Sequence, residues 1–265
     1  MKPHNYVNQF THMYKKLTSE DYITSSIIRF GSHKRYIQEK LLVDFFAVKG
    51  NLKIAEYLRE YIQQHLSEFQ SKSRIRILDV GPAIGALTTM LALQELDKFG
   101  LMDKAQVYLI DVSERVINST QNLDFFYPKT ILDVSLKAKI FKKLKSSKAI
   151  IQSAESMPFK TNFFDIVLAG FLFHHLHDSI KPVVASEIER TVRKEGLIAI
   201  AEEWFTDYKK DYAHEHIGDE IPLAFESIIK MEDMIALFKD IDVKVQSNSE
   251  DIPKENYYYF CAEKK

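Results

Sequence analysis

The chain changes its apolar rhythm near residue 74. Before that point Leu52, Ala55, Leu58, Ile62, Leu66 and Phe69 recur at three- and four-residue steps, which predicts a helix with one apolar face between Tyr36 and Phe69. Lys49-Gly50-Asn51 separates this helix from an earlier one, and "QSKS" at 70–73 reads as a short polar linker. After it come short apolar runs with the length of strands: 75–80, 105–112, 148–154, 163–171 and 197–204. Helical patterns lie between them, through "ALTTMLALQELDKF", "SERVINSTQNL" and "SIKPVVASEIERTVRKEG". Strands alternating with helices predict a parallel sheet covered on both faces. Two last runs, 242–247 and 256–264, have no helix between them and predict a terminal antiparallel hairpin.

Two stretches exceed a minimal alternating fold, 123–147 and 205–240. The expected organisation is therefore a helical, lid-like extension over 1–70 and a sheet domain over 71–265 carrying those two insertions. Tyr6, Tyr14, Tyr22 and Tyr36 make the extension rich in aromatic rings, as an acceptor pocket or lid would be. Six lysines (129, 137, 139, 142, 143 and 145) mark the first insertion, either as a solvated helix face or as a docking surface.

Composition narrows the choice of partners. The 265 residues carry 36 basic and 37 acidic side chains, a formal net charge of -1, which argues against a surface built to neutralise many phosphates. No apolar stretch reaches the ~20 residues of a membrane-spanning helix. Cys261 is the one cysteine, so an internal disulfide is excluded and a reducing, cytoplasmic setting is expected. Apolar faces on the N-terminal helices suit a monomer with a lid or a homodimer.

The chemistry concentrates at strand ends. "LDVGPAIG" places Asp79, Gly81 and Gly85 where the first strand turns into a helix. Glycine permits a sharp turn and close approach of backbone to a ligand, and the helix start offers unpaired N–H groups. Asp111 ends the second strand, where a carboxylate accepts hydrogen bonds from both ribose hydroxyls of an adenosine cofactor, or caps the next helix. A dinucleotide fingerprint needs G-x-G-x-x-G, whereas residues 81–86 read GPAIGA. "FHHLHD" at 173–178 lies beyond the fourth strand, so His174 or His175 is a candidate general base, or a ring packed beside the cofactor. His177, Asp178, His214, His216 and Asp219 hold ligand types for a metal, but His214 and His216, two apart, would point to different faces of a helix, and no metal is expected. Glu202, Glu203 and Trp204 leave the fifth strand where an acceptor could approach; acids beside an aromatic ring suit a cationic or amine-bearing one.

Five segments in order, "LDVGPAIG", "VYLIDVS", "SAESMPFKTNFFDIVLAG", "HHLHD" and "RKEGLIAIAE", resemble the landmarks of class I S-adenosylmethionine-dependent methyltransferases, nearest to the small-molecule branch that includes ubiquinone/menaquinone-type enzymes. The resemblance covers about 75–205. It implies a Rossmann-like, mainly parallel seven-stranded sheet, S-adenosyl-L-methionine as methyl donor and S-adenosyl-L-homocysteine as product. It assigns the loop of Asp79, Gly81, Pro82, Ala83 and Gly85 to the methionine side, Asp111 to the ribose and Val112 to the adenine face. Ser153, Ala154 and Glu155 would flank the adenine edge, with Ala169 and Gly170 beneath the methyl sulfonium. His174, His175 and Glu203 are the candidates for work on the acceptor. Two residues depart from the family pattern: Ala83 replaces a glycine and Ser153 an acid, which bears on cofactor affinity and admits a non-catalytic binder. After the fourth strand AGFL (169–172) stands where enzymes acting on adenine or glutamine carry an Asn/Asp-Pro-Pro-Tyr/Phe loop, so nucleic-acid bases are poor candidate acceptors. A small molecule is the expected acceptor, with a protein or carrier-bound intermediate as the alternative.

Overall fold

The structure is a computed structural model and describes residues 50–82, 86–122, 136–203, 229–247 and 257–265. A helix over 50–64 (α1) continues as Leu66–Ser71 (α2). Then follow β1 (Ile75–Val80), α3 (Leu87–Lys98), β2 (Ala105–Asp111), α4 (Glu114–Asn122), α5 (Lys137–Lys145), β3 (Lys148–Ile151), β4 (Phe164–Gly170), α6 (Lys181–Thr191) and β5 (Val192–Glu203). A short helix α7 (Met231–Ala236) precedes β6 (Ile241–Ser247) and β7 (Tyr257–Lys264).

The strands form one sheet in the order β3-β2-β1-β4-β5-β7-β6. β1 pairs in parallel with both β2 and β4, and β7 is antiparallel to its neighbours β5 and β6. This is the expected Rossmann-like sheet closed by a terminal antiparallel hairpin. The chain reverses its direction of travel across the sheet at β1, so the crevice outside the carboxyl ends of β1, β2 and β4 is the position where such sheets take ligands.

Alternation along each strand divides the core in two. Ile75 and Ile77 of β1, Val107 and Leu109 of β2, and Ile166 and Leu168 of β4 pack with α1, α3 and α5 on one face. Leu78, Val80, Ile110, Val167, Ala169, Ile198 and Ile200 face α6 and α7 on the other. Of the expected apolar face, Ala55, Leu58, Ile62 and Phe69 are buried in the first of these cores and Leu66 packs against it, whereas Leu52 is exposed and Ile54 and Tyr61 are buried instead, so the stretch 50–71 is packed onto the sheet. Residues 1–49, with the four tyrosines, lie outside the described residues.

Buried Asp165 closes the opposite edge. Its carboxylate accepts from Lys72 Nζ (2.7 Å), Arg76 N (2.8 Å) and Arg193 Nε (2.9 Å), joining the starts of β1, β4 and β5. Helix α6 stops at Thr191, five residues short of its expected end at 196. Val192 pairs with Phe164, Leu197 with Ile166, and the residues between them bulge out. Glu195 there adopts φ 57° and its carbonyl accepts from Tyr61 Oη at 2.7 Å. A tertiary contact thus overrides the local helical pattern.

Of the first insertion, 123–135 lies outside the described residues and the rest is α5. Ile140 and Leu144 are buried, whereas Lys137, Lys139, Lys142 and Lys145 are exposed, as a solvated helix face requires. Residues 204–228 of the second insertion, with Trp204, His214, His216 and Asp219, also lie outside the described residues. No helix among the described residues is long and apolar enough to cross a membrane. Nor does any group of three His, Cys, Asp or Glu among them stand close enough to hold a metal ion. Cys261 is buried, and burial pushes its thiol up, as befits a small packed apolar residue.

Candidate active site

β1 delivers Asp79 to the carboxyl edge of the sheet fully buried. Thr89 Oγ1, from the first turn of α3, donates to Asp79 Oδ2 at 2.6 Å, while Oδ1 has no partner among the described residues. Burial disfavours the anion and pushes the carboxyl up to about 7; the Thr89 bonds pull the other way. Gly81 follows at φ 67°, and a Cβ there would stand 2.6 Å from Leu172 Cδ1. Only glycine meets both demands at that turn. Pro82 is buried, and Ala83 and Gly85 lie outside the described residues.

Asp111 ends β2 and is 4% exposed. Its Oδ1 accepts from Ser113 N at 2.7 Å, and Ser113 Oγ in turn accepts from Val116 N at 3.3 Å, so one carboxylate oxygen helps start α4. After β3 the chain turns at Ser153, whose Oγ donates to Glu155 Oε1 at 2.7 Å and accepts from Glu155 N at 3.3 Å. The hydroxyl at the position where the family carries an acid is therefore already tied to the next acid.

These ends border one crevice. Gly81, Ile110, Asp111, Val112, Gln152, Ser153, Ala154 and Glu155 line it, together with Leu172, His175, Leu176, His177 and Ile180. It encloses about 570 Å³ counted out to its open mouth. The single crevice gathers Gly81, Asp111, Val112, Ser153, Ala154 and Glu155. Ala169 and Gly170 end β4 beside it, Ala169 1% exposed on the second core face.

The turn after β4 separates the two histidines. Phe171 takes φ 59°, and a single turn of 3-10 helix covers Phe173–His175. His174 is 6% exposed and does not line the crevice; its Nδ1 lies 2.7 Å from Glu202 Oε2. Glu202, 1% exposed, also accepts from Phe173 N (2.5 Å) and His174 N (3.3 Å). His175 faces the crevice with its ring centroid 3.9 Å from that of His174. Burial and the adjacent His174 hold its pKa well below the ordinary imidazole value. His177 Nδ1 accepts from Ser179 N at 3.2 Å.

Glu202 is thus a buried anchor and not an acceptor-facing acid. Glu203 ends β5 opposite Tyr257, and its side chain lies outside the described residues. The anchoring role of Glu202 is not among the expectations that the sequence supports at first sight. Period-two counting carries the signal: Ile198, Ile200 and Glu202 share a strand face, and the first two are apolar and buried.

Residues 78–200 match the family model described as a methyltransferase domain. No curated protein matches the chain. Among solved structures, phosphoethanolamine N-methyltransferase 1 of Haemonchus contortus, crystallised with phosphoethanolamine and S-adenosylhomocysteine, superposes with a TM-score of 0.58 at 14% identity. That match covers 100% of this chain and 50% of that one. The MccD protein gives a TM-score of 0.51 at 17% identity, over 79% of this chain and 97% of that one. The domain match over the strands that build the crevice, joined to the sheet order, identifies residues 78–200 as a methyltransferase domain on a Rossmann-like sheet.

Proposed function

We propose that this enzyme methylates an O, N or C atom of a small molecule in secondary or cofactor metabolism. In this reading the nucleoside lies in the crevice, with the sugar toward Asp111 and the amino-acid end toward Asp79. The observation that carries it is the crevice at the carboxyl ends of β1 and β2, lined by Gly81 and Asp111, with the unpartnered Oδ1 of buried Asp79 two residues before Gly81. A buried carboxylate oxygen without a donor is costly unless a ligand supplies one, and the cofactor's ammonium is such a donor. The positive φ of Gly81 lets backbone, without a Cβ, pass close to the ligand.

When bound, S-adenosylmethionine supplies a methyl group already electrophilic on its sulfonium. The chain's residues then have alignment and exclusion of water as their main tasks. Val112 and Ala154 offer apolar contact to the adenine. Ser153 and Glu155, tied to one another, offer oxygen acceptors at its edge. Leu172 and Leu176 add apolar wall to the crevice. His175 stays neutral across the physiological range, so its ring suits accepting a hydrogen bond from the acceptor better than storing a proton. The balanced charge and buried lone cysteine agree with a cytoplasmic small-molecule enzyme, monomeric or dimeric.

Asp111→Ala is expected to weaken S-adenosylhomocysteine binding by about 1–3 kcal/mol, the range for removing a buried hydrogen-bond partner. Calorimetric titration of both proteins measures it. An unchanged dissociation constant would remove Asp111 from the ribose.

A further inference from the structure

Helix α1, which precedes the methyltransferase domain, brings a polar side chain to the carboxyl edge of the sheet. Asn51 is 5% exposed, and its Oδ1 accepts from Thr88 Oγ1 at 2.8 Å. The pair closes over Gly170: a Cβ on that residue would stand 2.5 Å from Thr88 Oγ1 and 2.6 Å from Asn51 Oδ1. The neighbouring Thr89 is the residue that donates to Asp79. The first turn of α3 thus reaches Asp79 with one hydroxyl and Asn51 with the next. The parity of the strands puts these groups together, since Asp79 follows Ile75 and Ile77, and Gly170 follows Ile166 and Leu168, on the face that α1 and α3 cover.

An apolar residue would suffice to seat a helix here. A buried amide has four hydrogen-bonding positions, and among the described residues the Asn51 side chain has one partner, Thr88. We propose that Asn51 is a positioning residue for the amino-acid end of the cofactor, its amide held over Gly170 by Thr88. The inference rests on the orientation of the nucleoside proposed above.

The test compares two ligands by calorimetry: S-adenosylhomocysteine, and methylthioadenosine, which keeps the nucleoside and sulfur but lacks the amino-acid portion. Asn51→Ala is expected to weaken S-adenosylhomocysteine about tenfold and leave methylthioadenosine within about twofold, as loss of one local hydrogen-bonding group requires. Thr88→Val, close in shape to threonine, should reproduce that selective loss, and Thr88→Ser should restore wild-type affinity. Thr88→Val carries the comparison if Asn51→Ala does not fold. Equal weakening of both ligands, or of neither, would reduce Asn51 to helix packing and overturn the inference. Failure of the unsubstituted protein to bind either ligand would overturn the cofactor reading itself, and this inference with it.

Discussion

Glu202→Ala is expected to cost the folded state about 3–5 kcal/mol, the range for removing one partner of a buried, hydrogen-bonded pair. The carboxylate is 1% exposed and serves Phe173 N, His174 N and His174 Nδ1. Alanine leaves all three facing a void that a methyl cannot satisfy, and each unpaired buried group costs about 1–3 kcal/mol. Relaxation of the turn recovers part of that. In a protein of this size the loss corresponds to roughly 10 °C in melting temperature. Glu202→Gln, which keeps the volume and one acceptor oxygen, should fall between the two. Urea unfolding followed by circular dichroism measures the series. A loss below about 1 kcal/mol for alanine would mean that the Phe173–His175 turn is held by something other than this carboxylate.

Asp79→Asn should act on stability and on binding in opposite directions. Asparagine retains an oxygen to accept from Thr89 and removes a buried charge. The folded carboxyl, near 7, lies above its ordinary value of 3.8. In that window the folded state holds a proton that the unfolded chain releases. The stabilisation is complete below 3.8 and is lost as pH rises through about 7. Wild-type protein without ligand should therefore lose stability across that interval, on the order of a few kcal/mol, and Asp79→Asn should abolish the slope. Binding runs the other way. The cofactor's ammonium pairs with ionised Asp79, so affinity for S-adenosylhomocysteine should fall up to about tenfold per pH unit below 7 and level off above it. The asparagine variant should bind at least about tenfold more weakly at pH 8, with no such dependence. Thermal melts without ligand and calorimetry with it, both from pH 5 to 8, separate the effects. A variant that melts lower at pH 8, or that binds as wild type, would contradict the role given to Asp79.

The parts of this molecule that were legible in the sequence are those set by local pattern. β1 matches its expected span because a central strand of a parallel sheet is a short, continuous apolar run. Asp79, Gly81 and Asp111 stood out for a related reason: a charge or a glycine at the end of such a run has few structural explanations. Glu202 was misplaced because two adjacent acids look alike until strand parity sends one of them inward. The Asn51–Thr88 pair joins residues 37 apart through helix packing, and no spacing along the chain announces it. The early end of α6 has the same origin, since the Tyr61 hydroxyl that holds the bulge comes from a helix 134 residues away. The two histidines illustrate both limits. Their sequence suggested a pair of equivalent candidates, and only the sheet shows one anchored inside and the other facing the crevice.

The most direct measurement is a crystal structure with S-adenosylhomocysteine. Its expected result has the ribose hydroxyls on Asp111, the adenine between Val112 and the Leu172–Leu176 wall, and the amino group against the Asp79 edge beside Asn51. A crevice left empty at saturating ligand, or a nucleoside bound with its sugar away from Asp111, would contradict it.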